Sequence, residues 1–561
     1  MCKIQVLAAV LCAAHTGAIL DARQPVRARH GMVATVEKHA TDVGVAVLES
    51  GGNAVDAAVA VGLALAVTYP AAGNIGGGGF MLIRTADGRT NFIDFRERAP
   101  AKASHNMYIG ADGRLTDQSR IGYLAAGVPG TVRGLELAQQ KYGKKKWAEL
   151  VEPAVRLARN GFPVSYGLSQ SLRSKTRSEL LSRFPESRRI FLRDGKYFEP
   201  GELLVQPELA QTLERIEKQG SKDFYEGETA RLLAADMQAH GGLITLDDLK
   251  NYKVFERQPV TGTYKGYTII SAPPPSSGGV GILQMLGVLE GSGYEKHGVG
   301  SAATVHFMAE AMRRYFADRS EYMGDPEFYR VPVARLLDSK YIEERRRSID
   351  PKKATPSYSI HPGKRILGES DETTHYSVVD GEGNAAAVTY TLNDLYGSGV
   401  TAAKIGVVLN NEMDDFAAKP GEPNMYGLIQ GEANSVQPRK TPLSSMTPTI
   451  VLKDGKLYLV LGSPGGPTII NTVLEVLVNV VDFGMNVADA IDQPRFHHQW
   501  LPDQLVVEKS FSPDTILELL RVEGHAVRVT GGLGEVSAIL VDGEWLTGAA
   551  DPRTDGTARG Y

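Results

Sequence analysis

The residues of this chain best suited to bond-making chemistry are hydroxyls and glycines. A threonine pair, Thr373-Thr374, leads His375-Tyr376-Ser377, and Thr389-Tyr390-Thr391-Leu392-Asn393 follows, then Tyr396-Gly397. A threonine hydroxyl is a poor nucleophile at neutral pH and needs a base beside it. One solution makes the threonine the first residue of a chain, so that its own α-amine serves. That amine has a reference pKa of about 7.7 to 8.0, so much of it is neutral near physiological pH. Thr373 is internal in this sequence, and taken alone the pair reads as a plain strand edge. Gly465-Gly466 follows a predicted strand, where backbone N–H groups can face a ligand without obstruction from side chains. A simple turn into the next helix is compatible with that role.

Other chemistries lack their motifs. There is no phosphate loop of the G-x-x-x-x-G-K-[ST] type, no H-E-x-x-H, no G-x-S-x-G and no EF-hand spacing. Gly76-Gly77-Gly78-Gly79 has no following Lys-Ser/Thr and reads as a tight turn against packed backbone. His497-His498 has no third ligand in view and reads as structural, so no metal and no organic cofactor is expected. The only cysteines are Cys2 and Cys12. Their loss with a leader would leave no sulfur nucleophile, disulfide or thiolate metal site.

With 61 Lys plus Arg against 65 Asp plus Glu, the net charge of -4 argues against a nucleic-acid partner. Residues 1–22 read as a signal peptide: Met-Cys-Lys, an apolar run from Ile4 to Ala14, then small residues through Ala18 and Ala22. The protein is therefore expected to be exported, periplasmic or extracellular. No stable membrane span is expected, since the apolar run Ala54 to Val67 falls short of the roughly 20 residues required.

The positioning elements follow from periodicity and turns. Helices are predicted from His39 to Ser50 and, capped by Asn53, from Ala54 to Val67. Asp87-Gly88 separates two strands, Phe80 to Ile83 and Asn91 to Phe95. The stretch 131–345 reads as mostly helical, broken at Pro273–Gly279. Residues 350–372 lack apolar periodicity and read as a mobile linker. Beyond it strands are predicted at 375–379, 385–391, 406–410, 449–453 and 457–461, then a helix at 468–481 and a hairpin across Asp542-Gly543. Sequentially paired strands with helices grouped outside give a layered antiparallel α+β arrangement.

Taken together, Thr373–Ser377, Thr389–Asn393, Asp94-Phe95-Arg96-Glu97, Asn410–Phe416, Pro442–Met446 and Gly462–Gly466 resemble the gamma-glutamyltransferase family of N-terminal nucleophile hydrolases over nearly the whole chain. The resemblance implies a four-layer αββα sandwich that cuts itself between Glu372 and Thr373. Residues 23–372 would form a large subunit, 350–372 being its pre-cleavage linker, and 373–561 a small catalytic one. These two fragments would stay together as a heterodimer. It further implies that Thr373 carries the γ-glutamyl ester, Thr391 steadies its hydroxyl, Gly465 and Gly466 form the oxyanion hole and Asn393 contacts substrate. The family lid corresponds to Pro420–Gly431, with Tyr426 as its inner contact.

A γ-glutamyl group carries an α-carboxylate and an α-ammonium, so its pocket should hold a cation and an anion at opposite sides. Arg96 suits the carboxylate, assisted by Ser444 and Ser445. Glu412 and Asp415, three apart, suit the ammonium. The expected substrates are glutathione and related γ-glutamyl compounds, with water, amino acids or peptides as acceptors. Three alternatives remain open: an acylase for a glutaryl or poly-γ-glutamyl amide, a solute-binding protein that never matures, and a serine hydrolase using Ser444 or Ser445. The acidic pair weighs against a glutaryl substrate.

Overall fold

Asp-Gly dipeptides turn the chain where the sequence places them. Gly88 (φ 89°) joins strands Gly78–Arg84 and Thr90–Asp94, and Gly543 (φ 62°) joins Ser537–Asp542 and Trp545–Ala550. Each is a left-handed position that glycine adopts without a Cβ penalty. The computed structural model describes residues 23–360 and 373–561. The leader 1–22, the end of the linker and Glu372 lie outside the described residues.

These hairpins build two seven-stranded antiparallel sheets. One runs in the order Thr557–Gly560, Gly31–Thr35, Thr374–Asp380, Ala385–Thr391, Gly78–Arg84, Thr90–Asp94 and Phe255–Arg257. The other runs Val26–Ala28, Trp545–Ala550, Ser537–Asp542, Lys456–Gly462, Thr449–Lys453, Tyr267–Ser271 and Val260–Tyr264. Alternation along a strand sends successive side chains to opposite faces. Tyr376, Val378, Val388 and Tyr390 therefore pack with the helix Ala54–Thr68, while Val379, Ala385 and Ala387 pack toward Leu459, Leu461 and Ile539 of the second sheet. The Tyr376 hydroxyl donates to the Ala58 carbonyl (3.0 Å) and that of Tyr390 to Gly62 (2.9 Å).

Every residue of Ala54–Thr68 is buried, which its nearly continuous apolar sequence permits, and Asn53 caps it in a reciprocal box with Asp56. Helices Lys38–Glu49, Thr131–Tyr142 and Trp147–Asn160 cover its outer side. Beyond the second sheet lie Gly278–Leu289, Ala302–Tyr322 and Thr468–Val481, completing a helix–sheet–sheet–helix stack, an α+β fold.

Two expectations need correction and one an addition. The stretch 131–345 is mostly helical, as expected, but it also contributes strands, Phe255–Arg257 at the edge of one sheet and the hairpin Val260–Tyr264 with Tyr267–Ser271 at the side of the other. These strands are short and only partly buried, so their apolar alternation is weak. Of 406–410 only Val407–Val408 is strand, because the Asn410 side chain turns inward to donate to the Gly76 and Gly127 carbonyls (both 2.8 Å). Finally, residues 350–360 are tied down and are not loose linker. Thr355 N–H donates to Glu310 (3.1 Å), Ser357 N–H to Asp503 (2.8 Å), and Trp500 Nε1 to the Ser357 carbonyl (2.8 Å).

Candidate active site

Thr373 stands at the head of strand Thr374–Asp380, 4% exposed, opposite the end of its partner strand Ala385–Thr391. The strand behind it is fixed by His375, whose Nδ1 lies 2.8 Å from Thr389 Oγ1 and whose Nε2 lies 3.1 Å from Ser377 Oγ. Burial pushes the His375 pKa down to about 3, so the ring is neutral and purely a connector. It packs so tightly on Gly462 that a Cβ there would sit 2.3 Å from the ring. Gly77 serves the same purpose under Thr391, where a Cβ would meet the Thr391 carbonyl at 2.0 Å. Asn74 Nδ2 donates to that carbonyl as well (2.8 Å).

Thr391 Oγ1 accepts from the Asn393 N–H at 2.7 Å. The two do not share one strand face as expected, because the strand stops at Thr391 and Asn393 lies beyond it at φ 77°. Both still line the cavity at Thr373. Gly465 (φ 130°) and Gly466 (φ 50°) form the turn between strand Lys456–Gly462 and helix Thr468–Val481. Neither N–H donates a hydrogen bond among the described residues, and Gly466 lines the cavity. An unpaired amide pair at this place is a preformed donor for developing negative charge.

Arg96 is 1% exposed and held by its backbone, with N–H donated to Asp94 (3.1 Å) and its carbonyl receiving the Tyr252 hydroxyl (2.8 Å). Its guanidinium lies 2.6 Å from Glu412, 2.5 Å from Asp415 and 3.6 Å from Glu97. The expected separation of cation and anions is therefore corrected: Arg96 touches both acids. Three carboxyls around one cation cannot all ionise cheaply when buried. Burial lifts Glu97 to about 7, and burial likewise raises Glu412 well above the carboxylate range, Arg96 opposing in each case. Arg96 itself is raised, its burial penalty overcome by Glu412, Asp415 and Glu97. Apart from this cluster, no other group hydrogen-bonds the oxygens of Glu97 or Glu412 among the described residues.

Ser444 and Ser445 are set by the turn before Gly278–Leu289. The Ser277 N–H and hydroxyl both donate to the Ser444 carbonyl (2.8 and 2.7 Å). Ser444 Oγ accepts from the Met446 N–H (3.0 Å) and Ser445 Oγ from Arg319 (3.1 Å). Neither hydroxyl is paired with an imidazole, so the serine-hydrolase alternative lacks its base. The loop Pro420–Gly431 closes the far side. The Tyr426 hydroxyl donates to the Asn393 carbonyl (2.8 Å) and touches its side-chain oxygen, and Gln499 Nε2 donates to the Tyr426 carbonyl (3.0 Å). With the loop in place the cavity has about 20 Å³ of open space, room for about one water.

Thr373, Thr391, Asn393, Arg96, Glu412, Asp415, Tyr426, Ser444, Ser445 and Gly466 thus line one cavity, with Gly465 next to it. The sequence reading missed Glu97 and Arg319. Glu97 stood in the quoted Asp94–Glu97 motif, whereas Arg319 had no signal to separate it from other helix charges. His497 contacts Asn471 (2.6 Å) and Gln499 (2.8 Å), and His498 receives the Trp500 N–H (3.0 Å). Among the described residues no cluster of three or more His, Cys, Asp or Glu could hold a metal ion, and no helix is long and apolar enough to cross a membrane.

Comparison with known proteins agrees with this geometry. The sequence model of the Gamma-glutamyltranspeptidase family matches residues 40–561. A glutathione hydrolase proenzyme of Escherichia coli (strain K12) is 53% identical over 545 residues, 96% of this chain and 93% of the relative. Among solved structures, a cephalosporin acylase from Bacillus halodurans superposes with a TM-score of 0.86 at 27% identity, over 98% of this chain and 99% of that one. A gamma-glutamyltranspeptidase chain from Helicobacter pylori gives 0.57 at 46% identity, covering 60% of this chain and 96% of that one.

Proposed function

The chain belongs to the gamma-glutamyltranspeptidase family, and from that premise we infer that it is a glutathione hydrolase and γ-glutamyltransferase acting through Thr373. The carrying observation is the convergence of Thr373, the Gly465-Gly466 turn and a charged, hydroxyl-rimmed cavity. In the proenzyme the Thr373 hydroxyl attacks the Glu372 carbonyl, the Glu372–Thr373 C–N bond breaks to leave an ester and a free Thr373 α-amine, and hydrolysis of that ester releases the Glu372 carboxylate and restores the Thr373 hydroxyl. The products, 23–372 and 373–561, remain together because Thr374–Asp380 lies between Gly31–Thr35 and Ala385–Thr391 in one sheet, and Ala385–Thr391 pairs with Gly78–Arg84. The Helicobacter pylori chain, which covers 60% of this one, has the extent of such a large fragment.

In the mature enzyme the α-amine takes the proton as Thr373 Oγ attacks the γ-glutamyl amide carbonyl. The Gly465 and Gly466 N–H groups receive the oxyanion, and Thr391 steadies the hydroxyl. Collapse breaks the C–N bond, the protonated α-amine returns its proton to the leaving amine, and a γ-glutamyl ester stays on Thr373. Water, or the amine of an amino acid or peptide, then takes the acyl group by the same steps reversed.

Substrate entry requires the loop at Tyr426 to open, since the closed cavity has room for about one water. The substrate ammonium takes Glu412 and Asp415 from Arg96, whose fork turns to the α-carboxylate beside Ser444 and Ser445, and Asn393 contacts the substrate. Two acids beside the cavity, Glu412 and Asp415, favour this ammonium-bearing donor over a glutaryl one, which would leave them facing nothing. The leader supports export to the periplasm or the medium. A donor panel tests the reading: γ-glutamyl anilide should be cleaved and glutaryl anilide left intact, and preferential glutaryl cleavage would overturn it.

A further inference from the structure

The helix Ala302–Tyr322 carries a second arginine that reaches the substrate cavity through a hydroxyl. Arg319 is 2% exposed; its Nε donates to Ser277 Oγ (2.9 Å) and its Nη2 to Ser445 Oγ (3.1 Å). Its Nη1 is buried without a hydrogen-bond partner, and the side chain makes no ion pair among the described residues. Glu97, Glu412 and Asp415 are gathered on Arg96. A buried guanidinium that no carboxylate contacts is costly, Asp415 acting on it only from beyond ion-pair distance, and the cost is relieved when an anion arrives.

The hydrogen bonds also fix which way the hydroxyls point. Ser277 gives its proton to the Ser444 carbonyl (2.7 Å), so its oxygen is free to accept from Arg319 Nε. Ser445 Oγ accepts from Arg319, so its own proton is left to donate elsewhere, and Ser445 lines the cavity. Ser444 Oγ accepts from the Met446 N–H in the same manner. The serine pair is thereby held as two O–H donors, with a guanidinium that no carboxylate contacts one hydroxyl behind.

We propose that Arg319 is the positioning residue for the substrate's α-carboxylate, acting through Ser445 to make the enzyme select donors with a free α-carboxylate over their α-carboxamides. This deepens the reading of the site as a γ-glutamyl pocket and rests on it. The acids gathered on Arg96 then offer acceptors to an ammonium, and the Ser444 and Ser445 hydroxyls, with Arg319 behind Ser445, offer donors to a carboxylate. A zwitterionic γ-glutamyl group fits that polarity in one orientation only.

The test compares γ-glutamyl p-nitroanilide with its α-carboxamide analogue on the self-processed enzyme. If the wild type cleaves neither, the γ-glutamyl reading itself fails, and this proposal falls with it. For Arg319→Gln the KM for the carboxylate donor should rise about tenfold or more, the size of a lost charge-assisted hydrogen bond. The kcat should change little, and kinetics on the carboxamide should stay near wild type. Equal losses on both donors would mark a structural residue and overturn the proposal. Arg319→Lys, which keeps the buried charge, provides the second arm. It should lower the carboxylate-to-carboxamide preference in the wild-type background and have no further effect in Ser445→Ala. The same loss in both backgrounds would show that Arg319 does not act through Ser445.

Discussion

The two rims of the cavity are built from different material. Thr373, Thr391 and the Gly465-Gly466 turn sit at the ends of strands Thr374–Asp380, Ala385–Thr391 and Lys456–Gly462, locked by His375, Asn74 and glycines packed on backbone. Arg96, Glu412, Asp415 and Tyr426 instead stand on turns and on the loop Pro420–Gly431, held by ion pairs and single hydrogen bonds. Acyl transfer gains from donors fixed before the reaction, so the chemical rim is rigid. Substrate must enter and leave, so the reading rim is made of contacts that can exchange.

This contrast orders the expected effects of substitution. Gly465→Ala strikes the rigid rim: its φ of 130° and a Cβ only 2.4 Å from Thr468 Oγ1 force the turn to move. The kcat should fall about 100-fold or more, the cost of a displaced oxyanion donor, with KM little changed. A larger effect on KM than on kcat would place Gly465 on the other rim. Asp415→Asn removes one partner of Arg96 and the proposed partner of the ammonium, and KM for γ-glutamyl anilide should rise roughly 10-fold or more, as for loss of a hydrogen bond to a charge.

Tyr426→Phe keeps the ring and loses the bond to the Asn393 carbonyl. Loop opening should become easier, and steady-state KM should shift by about 3- to 10-fold, one neutral hydrogen bond's worth. Proteolysis within 420–431 should speed up in the same variant. Glu97→Gln gives the smallest change and is read in stability. Glu97 is raised from 4.5 to about 7 by burial, so the folded protein binds its proton more tightly than the unfolded chain. Stability from this group therefore falls as pH rises from about 4.5 to 7. Melting temperatures between pH 5 and 8 should show a shallower decline in Glu97→Gln than in the wild type.

The rigid rim was also the legible one. Hairpin turns, the Asn53 cap, the strand before Gly465 and the nucleophile's place at a strand head all depend on neighbours in sequence, which local pattern records. The charged rim depends on contacts such as Arg96 with Asp415, 319 residues apart, and no local pattern shows whether such a pair will touch. Arg319 was hidden for a related reason. Helix Ala302–Tyr322 also carries Arg313 and Arg314, and nothing in the local sequence tells the three arginines apart, though all are at most 2% exposed. The strands at 255–271 escaped because Phe255–Arg257 and Val260–Tyr264 are sheet edges and Tyr267–Ser271 lies next to one, where partial burial blurs the alternation.

The central claim is that Thr373 becomes a chain terminus whose amine is its own base. Intact mass and N-terminal sequencing of the purified wild type beside Thr373→Ala test it most directly. The account predicts a fragment beginning Thr373-Thr374-His375, about one third of the chain by length, together with γ-glutamyl hydrolysis, both absent from the variant. A single uncut chain that hydrolyses γ-glutamyl anilide, or a cut that persists in Thr373→Ala, would contradict it.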